Sequence, residues 1–258
     1  PGVEFKVVEQ RLASPKRLDV ILGTLSDSGD CLFTVYVKSQ PGEKAATVPV
    51  DAAQLVGAPE AVRSALKHVG KVDVGAVLFF CSSYVLSIVP PFPIEREIFS
   101  KNVDIGPLIG LLGKNLMVGV VLIRLGRYAV GVLRGEALIS SKTGRRYVKS
   151  RHRAGGSSQR RFERSRERLS REFFDKTCSV ARDVLEPRKE AMDFVLLGGE
   201  RQTLIGLVQR CRLLQSLEPV TLQRRLNVRE PGQQALEQIH GEVWKSSVSE
   251  LRPVGPQL

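Results

Sequence analysis

Metal-binding spacings are missing from this chain. Its four cysteines stand at 31, 81, 178 and 211, with no Cys-x-x-Cys and no Cys/His cluster, so no structural metal site is expected. No signal peptide is expected ahead of the sequence. Cys178 and Cys211 lie in helical-looking apolar patterns, so reduced thiols in a cytoplasm are the expected state. A membrane-spanning run is also missing. Residues 74–94 carry no charge, but Pro90, Pro91 and Pro93 end the apolar run after 16 residues, short of the ~20 that a spanning helix needs. β-branched and aromatic residues dominate it, which predicts two buried strands. There is no internal repeat, no GxGxxG and no P-loop, so the strand–Gly198-Gly199–helix pattern carries no nucleotide signature. With 42% apolar and 26% charged residues, the composition excludes a collagen, a low-complexity scaffold and a wholly disordered chain.

What is abundant is positive charge. There are 39 Lys and Arg against 27 Asp and Glu, a net of +12. Between Lys142 and Arg171 stand twelve basic residues and two acidic ones, so that window alone holds +10 and the rest of the chain +2. A patch this focused predicts a polyanionic partner.

Along the chain, the pattern predicts an α/β protein, α+β overall, in two domains. Residues 1–100 read as a β-rich N-terminal domain with strands at 32–37, 77–80 and 84–89. A turn is expected at Asp27-Ser28-Gly29-Asp30 and a short helix at 59–69. A boundary is expected between about 90 and 112. Residues 112–258 begin with a hairpin, 116–124 and 128–133, turning at Leu125-Gly126-Arg127. A third strand, 137–140, leads into a polar loop at 141–157. A helix of about 28 residues follows, with Phe162, Leu169, Phe173, Thr177, Val180, Val184 and Leu185 inward, and Pro187 ends it. The remainder reads as a strand at 192–197, a Gly198-Gly199 turn, a helix at 200–215, a strand at 222–228 and a final helix from Pro231 to about Leu251.

The loop is the informative part. Gly155 and Gly156 let the backbone approach a ligand closely. Ser157 or Ser158 is the expected N-cap, and the first helical turn presents unpaired N–H groups that suit a phosphate or an oxyanion. Arg145, Arg146, Lys149, Arg151, His152, Arg153, Arg160, Arg161, Arg164 and Arg166 surround it as candidate RNA contacts. The same arginines, interleaved with Glu163 and Glu167, also suit a solvated mixed-charge helix face. No carboxylate pair, Cys/His pair or Ser-His-Asp set accompanies the loop.

The stretch Gly155-Gly156-Ser157-Ser158-Gln159-Arg160-Arg161-Phe162-Glu163-Arg164-Ser165-Arg166-Glu167 resembles the catalytic loop of the Vms-like release factors. These belong to the superfamily of eukaryotic and archaeal class-one peptide release factors. Release factors carry Gly-Gly-Gln and then Arg-Phe-x-Arg-x-Arg at the start of a long helix, which Arg161–Arg166 matches here. Gln159 is separated from Gly-Gly by two serines, as in the Gly-Ser-x-Gln of the Vms-like branch (Gly156-Ser157-Ser158-Gln159). The resemblance covers about 112–258, while the first hundred residues match nothing. It implies a release-factor middle-domain-like, ribonuclease H-like α/β domain, with no codon-reading domain and no zinc finger. The implied activity is hydrolysis of the peptidyl-tRNA ester inside the large ribosomal subunit during ribosome rescue. It further implies Gln159, Gly156 and Ser157 as catalytic residues, Gly155 and Gly156 as sources of loop flexibility, and no cofactor or metal. The implied partners are the ribosomal RNA of the peptidyl-transferase centre and peptidyl-tRNA, served by a cytoplasmic monomer with no membrane contact. A tRNA-end endonuclease and a non-catalytic ribosome-binding factor remain as alternatives.

Overall fold

In the computed structural model, which describes residues 3–39, 58–69, 73–148 and 158–254, two sheets organise two units. The protein is thus a mixed α/β protein. The first unit opens with β1 (Glu4–Ala13), α1 (Pro15–Ser28) and β2 (Cys31–Val37). Helix α1 departs from the strand-rich expectation, and its signals are local. Ser14 is extended (φ −68, ψ 162), Pro15 opens the first turn, and Gly29 ends the helix in the left-handed region (φ 65). Leu18, Leu22 and Leu25, at i, i+4 and i+7, form its buried face. The expected turn at 27–30 therefore starts inside the last helical turn.

Next come α2 (Ala58–Val69), β3 (Ala76–Cys81), β4 (Val85–Val89), β5 (Ile98–Ser100) and α3 (Gly106–Leu112). Every residue of β3 is buried, because helices cover both faces of its sheet. Val77, Phe79 and Cys81 pack with Leu18, Leu22 and Leu25 of α1. Ala76, Leu78 and Phe80 pack with Val62 and Ala65 of α2. This accounts for the uncharged run at 74–89 as two buried strands. Among the described residues, no helix is long and apolar enough to cross a membrane.

The second unit, Asn115–Val243, holds β6 (Met117–Arg124), β7 (Arg127–Arg134), β8 (Ala137–Arg145), α4 (Ser158–Leu185), β9 (Phe194–Gly199), α5 (Arg201–Arg210), α6 (Arg212–Ser216), α7 (Gln233–Glu237) and α8 (His240–Val243). Its sheet runs β8-β7-β6-β9, with β9 parallel to β6 and the other pairs antiparallel. The hairpin and the 28-residue helix stand where the sequence predicts them. Strand β8 runs past the predicted Ser140 as far as Arg145, shortening the polar loop. The predicted helix at 200–215 breaks at Cys211, whose backbone is extended (φ −108, ψ 96). The strand predicted at 222–228 reduces to two isolated bridges, Val195 with Thr221 and Gly198 with Leu226.

Cys178 and Cys211 are joined by a disulfide, which corrects the expectation of four reduced thiols. The break between α5 and α6 sets Cys211 against α4, with 5.4 Å between the Cα atoms, inside the span a disulfide bridges. Cys31 and Cys81 are free. Alkylation under denaturing, non-reducing conditions is expected to modify two thiols, and four after reduction. Closing a loop across 33 residues corresponds to about 3–4 kcal/mol of stability in the chain-entropy account, so reduction should lower the denaturant midpoint accordingly. Four reactive thiols before reduction would contradict the bridge.

Gly198 and Gly199, expected as a turn, are the last two residues of β9. Gly199 has φ 139, and a Cβ there would lie 2.0 Å from the Ile123 carbonyl oxygen of neighbouring β6. Gly199→Ala is expected to destabilise the unit by about 2–3 kcal/mol in chemical denaturation. A variant as stable as the parent would show that β6 and β9 do not approach this closely.

The predicted final helix to Leu251 stops at Val243, and the chain continues as β10 (Ser246–Val254). This strand pairs antiparallel with β1 on one side and β4 on the other, completing the sheet β1-β10-β4-β3-β2-β5. Residues 244–254 thus fold with the sheet of the first unit.

Candidate functional site

The basic loop grows from the end of the β7–β8 ladder. Arg127 pairs with Arg145, and the Arg146 N–H donates to the Gly126 carbonyl at 2.9 Å. Gly126 turns the preceding hairpin with φ 95. Gly144 sits against Tyr128, where a Cβ would lie 2.3 Å from the phenolic oxygen, so the stem is closely packed. Val148 packs against the core of the second unit, while the Tyr147 ring beside it is 73% exposed. An exposed ring at the start of a basic segment is suited to stacking on a base.

Lys149, Arg151, His152, Arg153, Gly155, Gly156 and Ser157 lie outside the described residues. The chain resumes at Ser158, the first residue of α4, with Gln159 second and Arg160 third. At these positions the backbone N–H groups have no intrahelical acceptor, and the helix dipole presents its positive end.

Among the described side chains, none in the N-terminal half of α4 is buried. Its first described buried side chain is Phe173; Leu169, expected inward, is half-exposed, and Arg161 and Arg164 are exposed. From Phe173 onward Thr177, Val180, Ala181 and Val184 are buried, and Val180, Ala181 and Val184 pack with Val121, Ile123, Val130 and Val132 of the sheet. Residues 158–172 thus form a stalk of about 21 Å, at 1.5 Å per residue.

Ion pairs fasten the base of this stalk. Glu172 accepts from Arg146 Nη2 through Oε2 at 2.7 Å and from Arg168 Nη1 through Oε1 at 2.9 Å. Lys142 of β8 pairs with Asp183 at 3.0 Å. Arg210 of α5 makes two 2.9 Å bonds to Asp175, which raises its pKa. Each exposed pair contributes about 0–1 kcal/mol, so their value lies in geometry more than in stability. Arg145 and Arg146, candidate RNA contacts in the sequence, are both exposed, and the Arg146 guanidinium lies on Glu172. Sequence reasoning missed Glu172. Half of its signal was present, since Arg168 and Glu172 stand at i, i+4 spacing. Among the described residues no group of three His, Cys, Asp or Glu side chains is placed to hold a metal ion.

The profile of the Actinobacteria/Chloroflexi VLRF1 release factor family matches residues 117–249, just over half of the chain. The chain belongs to this release-factor family. The match runs from β6 through the basic loop and α4 into β10. Peptide chain release factor subunit 1 of Methanopyrus kandleri is 30% identical over 118 residues, covering 45% of this chain and 29% of that protein. The Picrophilus torridus protein of the same name is 27% identical over 161 residues, covering 58% and 39%. The matched part is therefore well under half the length of these relatives. Among solved structures, the archaeal translation termination factor aRF1 aligns with 17% identity and a TM-score of 0.34, over 84% of this chain and 67% of that one. The Vms1 mitochondrial localization core aligns with 13% identity and a TM-score of 0.39, over 70% and 77%.

Proposed function

We propose that this VLRF1 family member hydrolyses the peptidyl-tRNA ester on the large ribosomal subunit, in the cytoplasm, releasing stalled nascent chains through Gly156-Ser157-Ser158-Gln159. The observation that carries the reading is the family match over 117–249, a span within which this tetrapeptide and the long helix after it fall. In this reading the second unit is the counterpart of the release-factor middle domain.

The chemistry asks little of the protein. An aminoacyl ester is already activated, and ribosomal RNA supplies most of the reaction site. Water attacks the ester carbonyl carbon, the tetrahedral oxyanion collapses, and the products are the peptide carboxylate and the tRNA 3′-hydroxyl. The Gln159 backbone N–H, among the unpaired donors of the first turn of α4, donates to the oxyanion. Its side-chain amide orients the water. Gly155 and Gly156 let the loop enter a narrow RNA-walled channel. Arg151, Arg153, Arg160 and Arg161 bind ribosomal or acceptor-end phosphates, with Arg145, Lys149, His152 and Arg164 as further RNA contacts. This scheme needs no metal, no cofactor and no side-chain general base, and a single copy of the chain suffices.

The test uses purified large subunits carrying radiolabelled peptidyl-tRNA, with peptide and tRNA resolved on gels. Free peptide alongside full-length, re-chargeable tRNA is expected. A shortened tRNA or a terminal cyclic phosphate would make the protein a tRNA-end endonuclease. Co-sedimentation with the subunit and no cleavage of either bond would make it a binding factor.

A further inference from the structure

Helix α4 leaves its core between Phe173 and Glu172. Phe173 is fully buried, whereas one turn earlier Leu169 is only half-buried, and Arg161, Glu163, Arg164, Glu167, Arg168 and Arg171 are exposed. At this point two guanidinium groups converge on one carboxylate. Arg146 reaches it from the end of β8, where the chain enters the loop, and Arg168 reaches it from one turn further along the stalk. The carboxylate oxygens are used separately, one for each arginine, so Glu172 joins the strand that enters the loop to the helix that leaves it. Arg146 is fixed to the sheet in turn by its N–H bond to Gly126. The Lys142–Asp183 pair ties the same strand to the same helix three turns deeper. One tie would leave a pivot, whereas two separated ties set a direction.

Exposed pairs add little stability, but the lever is long. With a stalk of about 21 Å, a tilt of about 10° at Glu172 moves the tip by about 3.5 Å. A misplacement of about 1 Å is enough to cost a catalytic step on the order of a hundredfold.

The geometry points to Glu172 as a positioning residue that aims the α4 stalk through Arg146 and Arg168. Its consequence for catalysis rests on the hydrolase reading above, with Gln159 at the tip. Arg146 is thereby a strut of the stem.

The test compares full-length wild type, Glu172→Gln, Arg146→Glu and the charge swap R146E/E172R. Single-turnover peptide release at saturating protein reports the chemical step, and titration with subunits reports affinity. For Glu172→Gln the release rate constant is expected to fall on the order of tenfold. Subunit affinity should hold or rise, because the substitution removes a negative charge beside a basic stalk. Arg146→Glu should lose at least as much rate, and the swap should recover most of it. A wild-type rate in Glu172→Gln, a loss confined to affinity, or a swap no better than Arg146→Glu would overturn the assignment. Hydrogen exchange of residues 158–171 in free protein gives a readout independent of activity. It should quicken about five- to tenfold in Glu172→Gln, and unchanged exchange overturns the assignment whether or not the protein releases peptide. Faster exchange in a protein whose wild type releases nothing would instead remove the hydrolase reading and leave the stalk clamp standing.

Discussion

Truncation after Val243 is expected to unfold the first unit while the second stays folded. The deleted segment contains β10, which lies between β1 and β4. Without it β1 loses its one strand partner among the described residues, and β4 becomes a bare edge. Trp244, Val248 and Leu251 are at most 4% exposed, and the indole packs edge-on to Phe92 with 5.1 Å between ring centroids. At about 2 kcal/mol for each buried side chain, the three contribute about 6 kcal/mol before any ladder bonds are counted. A domain holds about 5–15 kcal/mol in total, so the deletion should exceed what the sheet can lose. Limited proteolysis with mass spectrometry checks this. Cuts should spread through residues 3–114, and a resistant fragment near 115–243 should survive. A truncated chain as resistant throughout as the full one would show that β10 is an accessory to the sheet.

Replacing Gln159 separates two contributions to release. Gln159→Ala keeps the backbone N–H and removes the side-chain amide. If that amide orients the attacking water, the single-turnover rate should fall at least on the order of a hundredfold, the scale of losing one preorganised group, with subunit binding unchanged. Gln159→Pro removes the N–H at a position where a first-turn proline is tolerated by the helix. It should be as defective as Gln159→Ala or worse. Full release by Gln159→Pro would exclude the backbone donor, and full release by both variants would move the chemistry away from this residue.

The helix from Ser158 to Leu185 and the Gln at its start were legible because their signals are local. They are a basic loop, a run of apolar residues at helical spacing and a proline after the end. The apolar strands β3 and β4 were legible for the same reason. Helix α1 was just as local, with Ser14, Pro15, three spaced leucines and Gly29, and was lost to an expectation of strands around it. Two features are non-local and could not be read along the chain. The pairing of β10 with β1 joins residues at opposite ends of the sequence. The Cys178–Cys211 bridge depends on how α5 breaks against α4, a packing outcome that residue spacing does not encode. Glu172 falls between these cases, since its bond to Arg168 is written in helical spacing and its bond to Arg146 arises only when β8 and α4 pack.

The return of the last strand to the first also sets a timetable for synthesis. β1 and β10 are separated by more than 230 residues of chain, which at about 5–20 residues per second is a wait on the order of ten to fifty seconds. In the last part of that interval, once Gly199 has been made, the interrupted six-stranded sheet is still incomplete, whereas all strands of the inserted four-stranded sheet are present. The usual N-terminal-first order is thereby inverted: the unit that carries the stalk can mature while its host is still waiting for its final strand.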